Sequence, residues 1–117
     1  MTQDNSYSEL MLFACFKAKP GIYFGSKSLM SLRDQLFGMG YAFGVCGKPD
    51  HLKYFREFIK WYNDEVVRDK NGYACWWNYM LYKSGNSDWH AFDMFFREFE
   101  DWLSKAHGLK LPEAQWK

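Results

Sequence analysis

Between Ser87 and Gly108 the bulky apolar residues stand at Phe92, Phe95, Phe96, Phe99, Trp102 and Leu103. Intervals of three and four place all six on one face of an α-helix, and a face that wide must be covered by other elements. Ser87 is the expected N-cap and Gly108 the stop, so this helix should reach about residue 106. Four earlier segments repeat the pattern. Leu10, Phe13, Ala14 and Lys17 share a face of a first helix over about 7–18, with Ser6 and Glu9 in capping-box spacing and Pro20-Gly21 as its end. Leu29, Leu32, Leu36, Met39 and Phe43 mark a second helix behind Ser28. Gly38 and Gly40 interrupt it, at about 1 kcal/mol each relative to alanine, a cost tolerated where another helix approaches closely. Leu52, Phe55, Ile59, Tyr62 and Val66 mark a third helix from an Asp50 cap to about residue 67, with a polar turn over 68–72. Trp76, Trp77, Met80 and Leu81 mark a fourth, over about 73–83, closed by Gly85. Between the first two helices, Ile22-Tyr23-Phe24 reads as a short extended segment.

Helices of this kind joined by short loops predict an all-α fold, a compact antiparallel bundle of about five helices. With 117 residues, the chain is the size of one domain and needs neither metal nor disulfide to bury a core. No repeat or linker divides it, so residues 1–117 form one expected domain, with 1–6 and 109–117 less ordered. The unusual quantity is aromatic: 11 Phe, 8 Tyr and 6 Trp. A small core cannot easily hide them all, and an exposed Trp or Tyr is a favoured anchor for a protein partner.

Charge narrows the function. The chain has 15 basic and 14 acidic residues and a formal net charge of +1, without the basic stripe of a nucleic-acid binder. The longest apolar run, Leu10 to Phe16, is too short to span a bilayer, and the polar start does not read as a signal peptide, so a cytoplasmic location is expected. Cys15, Cys46 and Cys75 are odd in number and widely spaced. They suit reduced, buried thiols better than a disulfide framework or zinc ribbon. His51, His90 and His107 lack partners at ligand spacing, so neither a metal nor another cofactor is expected. No glycine group has the setting of a phosphate loop. The paired carboxylates Asp64-Glu65 and Glu100-Asp101 diverge by about 100° on a helix and do not converge on one substrate atom. Catalysis is therefore not expected. Glu57 and Asp64 on the third helix, with Asp93, Glu100 and Asp101 on the fifth, read either as solvated helix faces or as an acidic surface for a basic partner.

One stretch carries a resemblance. Lys19-Pro20-Gly21-Ile22-Tyr23-Phe24-Gly25, followed by Ser28-Leu29, Leu32, Leu36 and Gly38, is similar to a recurring pattern in small bacterial proteins: Arg/Lys-Pro-Gly-Met/Ile-Tyr-aliphatic-Gly and then a Ser-Leu helix. The block Ala91 to Leu103 is similar as well, so the likeness covers about residues 12–105; Phe24 departs from it, standing where the pattern has an aliphatic residue. Some of these proteins resemble immunity proteins of bacterial polymorphic toxins, including those of contact-dependent growth inhibition. The resemblance implies a rigid scaffold that binds a cognate toxin C-terminal domain and blocks its active site or an essential surface. A nuclease is one such toxin, although the near-neutral charge does not single it out. Under that reading the partner-binding residues are Glu57, Asp64, Trp76, Trp89, Asp93, Glu100 and Asp101. The competing reading is a helical interaction module with a different protein partner.

Overall fold

The computed structural model describes residues 5–47, 49–68 and 75–115. Along them run α1 (Asn5–Ala18), α2 (Pro20–Phe24), α3 (Leu29–Val45), a 3₁₀ turn (Pro49–Leu52), α4 (Lys53–Trp61) continued by a π-helical turn (Tyr62–Val67), α5 (Trp76–Lys83) and α6 (Asp88–His107). The fold is all-α, a compact single domain, with no strand among the described residues. None of the helices described is long and apolar enough to cross a membrane.

α6 is the axis of the core. Phe92, Phe95, Phe96, Phe99, Trp102 and Leu103 are all buried on its inner face, as the three-four spacing requires. Phe95 is fully buried, with its ring centroid 6.2 Å from Phe13 on α1, 6.2 Å from Phe55 and 5.8 Å from Phe58 on α4, and 5.6 Å from Trp76 on α5. These are tilted and edge-on arrangements, the geometry that aromatic quadrupoles favour. α3 adds Leu29, Leu32 and Leu36 to the same core. The side-chain caps of α3 and α6 follow the sequence. The Ser28 hydroxyl accepts from Ser31 N–H at 3.1 Å, and the Ser87 hydroxyl accepts from His90 N–H at 3.2 Å. Asp88 reinforces the first, accepting from the Ser28 hydroxyl and from Met30 N–H, which fastens the start of α3 to the start of α6.

Several expectations are corrected. Pro20 does not merely end α1. It opens α2 as its first residue, so Ile22-Tyr23-Phe24 is helical rather than extended, and Gly25 closes that turn at φ +77°. A proline suits this position because the N–H it lacks has no helical partner there. Ser6 lies inside α1 rather than before it, and the Glu9 carboxylate caps a different helix: it accepts from Tyr54 N–H at 3.0 Å and Phe55 N–H at 2.7 Å. These donors belong to the first turn of α4, whose preceding residue, Leu52, has no side chain able to cap them. Asp50 sits in the 3₁₀ turn and does not start the α-helix. The expected fourth helix begins at Trp76, with Cys75 extended before it; residues 69–74, including most of the expected polar turn, lie outside the described residues. After Gly108, at φ +64°, Leu109 N–H returns to Leu103 C=O at 3.2 Å. Leu109 and Leu111 then pack on the core, and the Cys15 thiol donates to the Gln115 carbonyl.

The π-helical turn buries Tyr62 completely, 5.5 Å from Phe58 and 6.1 Å from Tyr79. Among the described residues its hydroxyl has no hydrogen-bond partner, and burial drives the phenol pKa well above its ordinary value. Losing water without gaining a partner costs free energy. Tyr62→Phe is therefore expected to raise stability by about 1 kcal/mol. Urea unfolding should show a higher midpoint at unchanged slope, and a fall in the midpoint would contradict the orphaned hydroxyl.

Candidate functional site

The seven residues singled out from the sequence have different fates. Trp76 is only 1% exposed, its ring 5.9 Å from Phe55 and 5.6 Å from Phe95. It is a core residue and presents nothing to a partner. Trp89 is half-exposed near the start of α6, with the Lys27 ammonium 4.3 Å above its ring. The same lysine pairs with Asp93 at 2.8 Å, so Trp89 and Asp93 are brought together around one cation. Glu57 meets the His107 ring nitrogen at 2.9 Å, and the other three acids each have a lysine at the carboxylate: Asp64 meets Lys60 at 3.0 Å, Glu100 meets Lys17 at 2.6 Å and Asp101 meets Lys105 at 3.0 Å. Their fields are cancelled locally rather than summed into an acidic face. Two of these contacts connect helices, Lys17–Glu100 joining α1 to α6 and Glu57–His107 joining α4 to α6.

A different surface stands out. From Phe37 to Gly47 the chain has no charged residue, yet most of this half of α3 faces outward. Phe37 is 48% exposed, Tyr41 77% and Val45 70%. Beside it lies an open apolar groove of about 590 Å³, walled by Leu36, Phe37, Gly40, Tyr41, Phe43 and Gly44 of α3 and floored toward α4 by Leu52, Phe55 and Ile59. Arg56 and Lys60 form its α4 rim. On the other flank Phe37 stands edge-on to Trp77 at 5.4 Å, with the Arg33 guanidinium 5.0 Å from the Trp77 ring. The α3 wall is thereby held at its Phe37 end by α5.

The glycines of α3 acquire a meaning that the sequence did not assign. A close approach by another helix was the expected reason for Gly38 and Gly40. A Cβ added at Gly38, Gly40 or Gly44 would meet no atom within 4 Å, so among the described residues no neighbouring helix approaches there. The bare backbone is left open to the outside. The acids and tryptophans that the sequence singles out do not include Phe37, Tyr41, Val45, Arg56 or Lys60. The available signal was the uncharged eleven-residue run itself, in a chain where one residue in four is charged.

The groups with chemistry lie elsewhere. Glu9 is 3% exposed, and burial pushes its carboxyl up to about 6, against the pull of the Phe55 and Tyr54 N–H groups and of Arg56. Its hydrogen bonds make it a cap for α4. His51 packs its ring 4.9 Å from Phe43, His90 lies 5.2 Å from Trp89, and His107 sits between Tyr54 and Trp102. Cys15 is buried as expected, Cys75 is partly covered and Cys46 is exposed at the end of α3, a correction to the expectation of three buried thiols. Among the described residues no three His, Cys, Asp or Glu side chains converge as metal ligands. Compared with known protein families, curated proteins and solved structures, the chain matches none of them.

Proposed function

We propose that this chain is an immunity protein, which binds the C-terminal domain of a cognate bacterial toxin and neutralises it by covering its active site or another essential surface. The observation that supports this reading is the uncharged, outward-facing half of α3 with the groove beside it. Soluble monomers rarely leave a contiguous apolar patch of this kind in water unless a partner covers it. Phe37 and Tyr41 are rigid aromatic anchors of the type that dominate binding energy, and they stand on a helix rather than on a loop.

The test is survival. Where a large secreted protein is encoded next to this chain, cells producing its C-terminal domain are expected to survive when the chain is co-produced, and the two proteins should co-purify. Tyr41→Ala should cost about 2–4 kcal/mol of binding, the range of an aromatic anchor, and lower survival at least tenfold. Asp64→Ala, which breaks only an exposed ion pair, should protect as the parent does. Toxicity without rescue would remove the immunity role. The same groove would then belong to an interaction module with another protein partner.

A further inference from the structure

We propose that the groove between α3 and α4 receives an amphipathic α-helix of two to three turns from the protein partner, apolar stripe downward, with acidic residues along the edge facing α4. This rests on the docking role proposed above and adds the form and charge of what docks.

Shape comes first. The α3 wall runs from Leu36 to Gly44 and the opposite wall from Leu52 to Lys60. At 1.5 Å per residue, a nine-residue wall is about 12 Å long, a little over two helical turns. Gly40 and Gly44 lie one turn apart on the groove side, and the space above them is empty. A cylinder can settle onto that bare backbone more closely than onto any other part of α3.

The backbone then selects the occupant's conformation. Both walls are helical, so their main-chain donors and acceptors are largely spent within the helices, and neither offers a strand edge. An extended segment laid there would bury its own N–H and C=O groups unpaired, each costing about 1–3 kcal/mol. A helix arrives with those groups already satisfied, leaving side chains to fill the space around Tyr41 and Ile59.

Charge distinguishes the sources of such a helix. The α3 wall is neutral, while Arg56 and Lys60 stand one turn apart along the α4 rim. Lys60 makes an exposed ion pair with Asp64, weak enough to be exchanged for a partner's carboxylate. Acids three or four residues apart on the incoming helix match this rim. A second copy of α3 does not, because it is uncharged from Phe37 to Gly47 and would set no acid of its own against the rim.

The probe is a display library of helix-stabilised peptides of about 14 residues, which need stabilisation because free helices of that length are marginal. Leu is fixed along one stripe and both edges are randomised. Selection on the full chain is expected to enrich Asp or Glu at i and i+3 or i+4 along one edge. Gly44→Leu fills the groove while favouring the α3 helix, and should weaken the selected peptides at least tenfold. Lys60→Glu should turn the enriched edge from acidic to basic. Overturning results are no enrichment, enrichment without charge preference, extended Pro-containing binders, or peptides indifferent to Gly44→Leu. Sedimentation showing a dimer that Gly44→Leu dissociates would give the groove to a second copy, and laurate binding in place of the peptides would give it to a lipid. If acidic helices bind through the groove but cells are not protected, the immunity reading fails and the helix site stands. If protection survives Gly44→Leu unchanged, the toxin docks elsewhere and the inference about its helix is overturned.

Discussion

Cutting Phe95 back to alanine is expected to remove about 3–5 kcal/mol of stability, the upper range for a buried aromatic. Phe95 is fully buried and its ring lies within 6.2 Å of rings on α1, α4 and α5, so one truncation opens a cavity shared by four helices. Because those neighbours are large, interlocked rings, they cannot easily collapse into the gap, and the unfilled volume adds to the lost transfer free energy. Domains of this size are stable by about 5–15 kcal/mol, so the loss is a large share of the total. Phe95→Leu keeps most of the volume and should cost only about 1–1.5 kcal/mol. Urea unfolding of both variants checks this. A loss below about 1.5 kcal/mol for the alanine variant would mean that the aromatic cluster does not hold the helices together.

Glu9→Ala is expected to cost about 2–4 kcal/mol at neutral pH, since it leaves two buried N–H groups at the start of α4 without acceptors. The same carboxyl gives the fold a pH dependence with a defined sign. Burial raises its pKa from 4.5 to about 6 in the folded protein, so the folded state holds the proton more tightly than the unfolded state. The resulting stabilisation is fully present below about pH 4.5 and is lost as the pH rises through about 6. A shift of this size corresponds to about 2 kcal/mol. Relative to Glu9→Gln, the parent should therefore lose about 2 kcal/mol between pH 4.5 and 7. Parallel stability curves for the two proteins across that window would show that Glu9 is not held in the buried site. The Glu9→Ala measurement separately weighs the two hydrogen bonds.

Much of the architecture was legible because it depends on local spacing. The inner face of α6, the caps at Ser28 and Ser87 and the stop at Gly108 each follow from residues within a few positions of one another, and all four are as expected. Glu9 shows where local reading ends. Its spacing from Ser6 fits a capping box, but a carboxylate accepts from whichever orphaned N–H groups lie within reach. The fold brings those of Tyr54 and Phe55, 45 and 46 residues away, to its oxygens. The tryptophans show the same limit. Trp76 and Trp89 are alike as residues, yet one is in the core and the other half in water, and only the packing of α5 on α6 decides which.

The candidate site was the least legible part. Met39 and Phe43 continue the buried stripe and do pack against the core, whereas Phe37 and Tyr41 lie off that stripe, and apolar periodicity reports that a face wants cover without saying what provides it. The sequence by itself determined that the chain is helical, which face of α6 turns inward and where α3 and α6 begin, since these follow from periodicity and from side chains capping their own helix. The tertiary structure alone decided that Met39 and Phe43 pack against the core while Phe37, Tyr41 and Val45 stand exposed in the same half of α3, with Arg56 and Lys60 across the groove. The physical reason is that burial is a property of the whole packing: a pattern fixes which side chains gain by leaving water, and only the arrangement of the other helices determines which of them do.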